Sequence, residues 1–391
     1  MAKPKTPNQK RKYGELNKRI AKYVMLVESI YEDLNLEAAK IVGITDFTID
    51  SDRPFMWSDY PQTRKRIRDL QERFVEDIGA VIYSGTSEEW KNSNEVQDLL
   101  ANKVLQTYGA TIGKEKYEIL YQPNNDALKA FQQRKDKGFT ISDKLWNQST
   151  LYKQELEEAI SCAIQKGTSA ITLSKQISKY LLDFPQLQKD YKERFGKASR
   201  AIDCEYRSIR LAASEINMAY RQAENLRWQQ MDFVVGYEIK LSNNHTCNGK
   251  PFQDICDILA GKYPKDFQWT GWHPLCRCYK IPILKTEEEF WEWDGRSEAT
   301  TASVNEVKDV PDAFKKWINE NIQRAKSWDS APYFIRDNDK YIREDFKVNV
   351  YNKTEKTFVR KRRTNLAMSR VEYYNKIYPH IPEVQQAAVN A

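Results

Sequence analysis

Histidine is scarce in this chain: His245, His273 and His380 are the only three in 391 residues, so histidine-based acid–base chemistry has few candidates. Glycine is scarce too, at 14. No glycine-rich phosphate cradle occurs, nor a Gly-x-Ser-x-Gly or His-Glu-x-x-His motif, which argues against a nucleotide-driven motor and the common hydrolase classes. No run approaches the roughly 18 apolar residues that a membrane span needs. The first residues, Met1 to Arg11, are polar and basic without an apolar core, so no secretory signal is expected. Synthesis in a cytoplasm follows as the expectation. There the six cysteines start reduced and serve more readily as metal ligands or free thiols than as disulfides.

What is present is charge and aromatic area. Charged residues make up 30 % and hydrophobic ones 40 %, a balance that suits helices with narrow apolar stripes better than one deep-cored enzyme. The 22 Tyr and 10 Trp exclude a disordered, aromatic-poor chain and favour protein–protein contacts. The net charge of +7 is concentrated at the ends. Lys10, Arg11 and Lys12 stand in the first segment, and Arg360, Lys361, Arg362 and Arg363 in the last. Such runs are candidate contacts for nucleic-acid phosphates; solvated tails are the alternative.

Periodicity predicts an α+β protein, mostly α. An elongated helical region over 1–121 carries helices at Tyr13–Ala39, Thr63–Val81 and Ser87–Tyr108, the last with an acidic first turn at Glu88 and Glu89. Residues 122–139 read as a linker. A unit over 140–289 begins with a helix from Lys144 to Gln165, closed by Gly167. Thr168 and Ser169 offer N-caps for the next helix, and Pro185 ends it. A long helix from Ala198 to Gln230 follows, with Ile202, Ile209, Ala213, Ile216, Tyr220 and Ala223 on one stripe. Two alternating runs, Val235 to Leu241 and Tyr279 to Ile283, predict paired strands. The loop of 242–275 between them is unusually long unless something holds it. Residues 290–391 read as a mixed region. Pro311 opens a helix, 332–352 forms strands or a hairpin, and 363–390 a helical tail. The aromatic group Phe290, Trp291 and Trp293 suits either base stacking or, more commonly, a packed edge.

The chemistry-bearing cluster lies between His245 and Cys278. It contains Cys247, Cys256, His273, Cys276 and Cys278. Cys276 and Cys278, two apart at a strand start, point to one face and are poorly placed to bond each other. Zn²⁺ held by Cys247, Cys276, Cys278 and either Cys256 or His273 would staple the loop onto the sheet as a structural site. Buried thiols or later disulfides are the alternative. A catalytic metal would need an open position and a base, for which Asp257 is available.

Three segments carry a resemblance: Arg210-Leu-Ala-Ala-Ser-Glu215-Ile-Asn217-Met-Ala-Tyr220; then Thr246-Cys247 with Gly249-Lys250-Pro251-Phe252; then His273-Pro274-Leu275-Cys276-Arg277-Cys278. Together with Ile141 to Trp146 and the Gly167-Thr-Ser turn they resemble the head morphogenesis family of tailed bacteriophages, which includes the minor head protein of phage Mu. The resemblance covers about residues 140–285. The chain departs from the family pattern where the second Cys of a Cys-x-x-Cys should follow Cys247; Cys256 is the candidate substitute. The resemblance implies a non-enzymatic minor component of the virion, assembled in the bacterial host cytoplasm. It would sit at the head interior or portal vertex and act in head assembly and in DNA packaging or delivery. Portal protein and major capsid protein are the implied partners and phage DNA a further one, with no membrane and no small-molecule substrate. Arg210 and Glu215 are expected to tie their helix to the Cys/His loop. A metal-dependent nuclease or toxin-like effector carried in the head is the rival reading, and a nucleic-acid-binding protein of an integrated element a third.

Overall fold

The computed structural model describes residues 6–43, 53–109, 112–163, 169–242, 246–247, 250–251, 253–291, 302–328, 331–343 and 346. The helices run in order as α1 (Gln9–Gly43), α2 (Arg64–Tyr108), α3 (Lys114–Leu120), α4 (Asn125–Gln133), α5 (Ile141–Ala163), α6 (Ala170–Leu182), α7 (Phe184–Phe195) and α8 (Cys204–Gln230). Strand β1 (Val234–Lys240), the short pair β2 (Thr246–Cys247) and β3 (Lys250–Pro251), helix α9 (Ile255–Leu259), β4 (Gly261–Tyr263) and β5 (Tyr279–Leu284) follow. Helices α10 (Glu287–Trp291), α11 (Asp312–Ala325) and α12 (Tyr333–Arg336) come last. The protein is α+β and mostly α, with a small three-stranded antiparallel sheet and a two-stranded one among the described residues.

Several boundaries depart from the sequence-based expectation. Helix α2 runs unbroken through 82–86, the gap between two helices expected from the sequence. Gly85 costs a helix roughly 1 kcal/mol relative to Ala, yet a Cβ there would meet Ile216 Cδ1 at 2.5 Å. Glycine is the residue that permits that approach. Pro185 opens α7 rather than ending α6, because Asp183 caps α7 by accepting from Gln186 N at 3.1 Å. The stretch 122–139 is not all connection: it holds α4 and a bridge between Asp136 and Phe139. Over 333–341 the chain is helical, as α12 and a 3₁₀ turn, instead of stranded. Pro332 precedes α12, whose Phe334 and Ile335 are buried. Gly167, the tail of 363–390 and the basic run Arg360, Lys361, Arg362 and Arg363 lie outside the described residues.

The residues group into two compact units whose segments interleave along the chain. One comprises 20–85 and 130–216. Its core joins Val24, Val27, Tyr31 and Leu34 of α1, Phe74 and Ile78 of α2, Tyr152 and Leu156 of α5, and Ile209 of α8, all buried. Tyr31, Phe74 and Tyr152 meet at ring separations of 5.2 to 5.5 Å. The acidic side of α5 is turned inward here. Glu155 Oε1 accepts the backbone N–H groups of Ile202 at 2.7 Å and Cys204 at 3.0 Å, and Glu158 accepts those of Arg200 and Ala201. These carboxylates satisfy donors at the start of α8 that would otherwise be orphaned.

The other unit comprises 6–19, 86–129 and the described residues from Asn217 onward. Its sheet has the order β4-β1-β5, antiparallel throughout, with Tyr237 of β1 opposite Tyr263 of β4 and Pro282 of β5. The expected pairing of β1 with β5 is present; β4, only three residues long, carried no periodic signal. Tyr263, Phe267, Trp269 and Trp272 all come from the long loop and are buried beneath Phe314 and Phe334. Phe290 is buried against Tyr108 and Phe233, a packing role rather than base stacking.

Burial pushes the Glu155 carboxyl up to about 8 from the ordinary 4.5, against the backbone N–H groups that favour its anion. The folded chain therefore keeps a proton that the unfolded chain has released. This contribution to stability is complete below about pH 4.5 and is lost as pH rises toward 8. Urea midpoints measured across that window should fall with pH in the native protein and fall less in Glu155→Gln; parallel slopes would refute the assignment.

Candidate metal centre

Helix α9 is short and fixed at its start by a capping box: Asp254 Oδ1 accepts from Cys256 N at 2.7 Å, and Asp257 Oδ2 accepts from Asp254 N at 2.8 Å. Asp257, the available base for a catalytic metal, is thereby committed to a cap. The box sets Cys256 on the inner side of α9. The facing wall is the turn His273-Pro274-Leu275-Cys276, closed by Cys276 N donating to His273 O at 3.1 Å. Proline stands second and Leu275 third with φ +64°, the arrangement of a type II turn, in which glycine is usual at the third place.

This turn delivers Cys276 and Cys278 against Cys256. All three are buried, and their Sγ atoms lie within 4.8 Å of one another, a group that could hold a metal ion. Cys256 and Cys276 are 3.8 Å apart. A tetrahedral ion with sulfur arms of about 2.3 Å separates its ligands by roughly 3.8 Å, so the spacing fits. Burial opposes ionisation of Cys276. Hydrogen bonds from Cys256 and Cys278, with the charges of Arg221 and His273, outweigh it and hold its thiol well below the ordinary value. Cys256 is pushed up by its hydrogen bonds to Cys276 and Cys278 and by burial. His273 stands at the rim, with Nε2 3.1 Å from Cys256 Sγ. Of the five cysteine and histidine candidates, Cys256, Cys276 and Cys278 come together, and His273 adjoins Cys256. Cys247 lies in the β2–β3 hairpin, paired with Lys250.

The tie between helix and loop does not run through Arg210 and Glu215. Arg210 is exposed. Glu215 is buried and pairs with Arg134 at 2.5 Å and Lys144 at 3.6 Å. Two and six residues beyond Glu215, α8 makes the tie with other residues. Asn217 Nδ2 donates to Cys276 O at 3.0 Å. The Arg221 guanidinium, only 1 % exposed, donates to Thr270 O at 3.0 Å, Cys276 O at 2.6 Å and Cys278 O at 2.9 Å. It lies 4.5 Å over the Trp269 ring. Gly271 has φ +128°, and a Cβ there would fall 2.7 Å from Arg221 Nη1. Glycine is what lets the loop close on the guanidinium.

Beyond Arg221 the same face of α8 buries Glu224 completely, and β5 buries Lys280 beside it at 3.3 Å. Tyr13 Oη donates to Glu224 Oε2 at 2.5 Å, and Lys280 also donates to Asn225 Oδ1. Burial pulls the Lys280 ammonium down to about 8, although Glu224 favours its charge. Asn217, Arg221, Glu224, Asn225 and Trp228 recur at steps of three and four. That polar stripe was the signal available in the sequence for these residues.

At the amino end, Arg11 and Lys12 both pair with Glu15 at 3.0 Å, while Lys10 is exposed on α1. Among the described residues no helix is long and apolar enough to cross a membrane. What the fold and site define is a mostly helical α+β protein with a buried three-cysteine candidate metal centre. Comparison with protein-family models, curated proteins and solved structures finds no match, so the resemblance to the head morphogenesis family rests on the residues themselves.

Replacing Lys280 with Met strands the Glu224 carboxylate in the interior, and we expect a loss of about 3–5 kcal/mol of unfolding free energy. Adding Glu224→Gln should recover a large share of it. Urea denaturation of the two single variants and the double closes the cycle; simply additive penalties would mean that the two groups are not coupled.

Proposed function

We propose that this chain is a minor head protein of a tailed bacteriophage, with a role in head assembly near the portal and in DNA packaging or delivery, and that its cysteine trio holds a structural zinc. Portal and major capsid proteins are the partners in this reading, and packaged DNA is a further one. The supporting observation is the way the His273-Pro274-Leu275-Cys276-Arg277-Cys278 segment is built. Its carbonyls are locked by Asn217 and Arg221 of the helix that carries the other part of the resemblance. Its thiols are buried at 1 % exposure. Closed, fully buried thiolate sites are those that contribute folding free energy, whereas catalytic zinc keeps an open position. An assembly component needs a rigid knot of this kind more than an open site.

Particles purified on a density gradient from the source culture should contain this chain in a few copies each, and cross-linking should join it to the portal protein. Recovery only outside particles would overturn the assignment. The chelator-rinsed protein should carry about one zinc per chain, lost in Cys276→Ser; elemental analysis finding none would remove the metal.

A further inference from the structure

The trio supplies three of the four positions of a tetrahedral zinc site, and His273 stands beside one of its members, Cys256, in a fixed orientation. Its Nδ1 lies 2.7 Å from the carbonyl oxygen of Pro274. A carbonyl only accepts, so Nδ1 is the donor in this contact and Nε2 is the ring nitrogen left to face the sulfur atoms. An Nδ1–H donated to a backbone carbonyl is the outer contact that fixes the tautomer and orientation of metal-ligating histidines. Nε2 faces Cys256 Sγ at 3.1 Å, and Asp254 Oδ2 lies 3.6 Å from the same nitrogen; Asp254, Cys256 and His273 form a second group of candidate ligands that shares Cys256 with the trio. The turn that fixes this ring also fixes Cys276, since Cys276 N closes on His273 O.

We propose that His273, through Nε2, is the fourth ligand of a closed Cys₃His centre with Cys256, Cys276 and Cys278. The proposal rests on the zinc reading above. Three thiolates and a neutral imidazole leave a divalent ion with one net negative charge. Arg221, donating to the carbonyls of Cys276 and Cys278, is the buried cation that balances it.

X-ray absorption at the zinc edge of the zinc-loaded full chain decides the ligand set. Three sulfur scatterers and one imidazole are expected, unchanged in Cys247→Ser. In His273→Ala the imidazole features should disappear, and a competing chelator should take the metal at least about tenfold more readily. Four sulfurs in the native chain, with one lost in Cys247→Ser, would overturn the assignment while leaving a zinc site standing. So would an oxygen in place of the imidazole, or imidazole features that persist in His273→Ala. Absence of zinc from the native chain would defeat the zinc reading itself, and this proposal with it. Should His273→Ala fail to fold, the native chain and Cys247→Ser still decide, because the two competing ligand sets differ in sulfur count.

Discussion

A guanidinium placed in a protein interior costs several kcal/mol unless its donors are met, and Arg221 is buried at the centre of the loop-bearing unit. Its charge is accommodated by three carbonyl oxygens, those of Thr270, Cys276 and Cys278, and by the face of Trp269. Each of those oxygens belongs to the loop, so the loop has one conformation in which the charge is satisfied. Gly271 must lack a side chain there, and Asn217 adds a fourth donated bond from the same helix. The cysteines are therefore positioned first by backbone hydrogen bonding from α8, and their sulfur atoms converge as a consequence.

The polar stripe continues with a second buried charge pair, and its effect is on register. Lys280 lies opposite Ile239 in the β1–β5 ladder and reaches Glu224 across the sheet face. A one-residue slip of β5 would turn Lys280 to the other face and leave Glu224 without a cation. An apolar stripe would accept several registers at similar free energy. Tyr13 joins the same carboxylate from the first turns of α1, so one acidic side chain ties together the chain's beginning, its long helix and its last strand.

Much of the helical scaffold was legible because burial there follows a 3.6-residue period of apolar side chains. Tyr23, Val27 and Leu34 of α1 are such a stripe, as are Ile209, Ala213 and Ile216 of α8. The alternation in β1 and β5 was legible for the same reason. The failures share a different cause. The gap of 82–86 between two expected helices is bridged by a contact that local sequence does not show, that of Ile216 in α8 with Gly85. Strand β4 is too short to show a period. In the site, the shared face of Cys276 and Cys278 was visible in their spacing, while Cys256 stood only as one of two choices for a fourth ligand, and Arg210 and Glu215 were singled out in place of Asn217 and Arg221. A buried polar stripe looks in the sequence like a solvated face. Only the loop's carbonyls, which have no sequence signature, distinguish the two.

A three-stranded sheet whose outer strand has three residues is marginal by itself, and the position of the cysteines bears on that weakness. Strand β4 lies between Cys256 and Cys276 in sequence. Any bond network joining those two sulfurs closes a loop that contains the whole strand, together with Phe267, Trp269 and Trp272. Closing such a loop removes freedom from the unfolded chain, an effect that grows only slowly with loop length. A link at this place thus confines the weakest strand and its aromatic anchors at once. The aromatic cluster gives the sheet its apolar area and Arg221 gives the loop its path, while the sulfur trio lies where a single added ion would hold both. Because the trio is buried, an ion there would act on the fold rather than on a substrate, and the outer surfaces of the unit would remain available for contacts with other proteins.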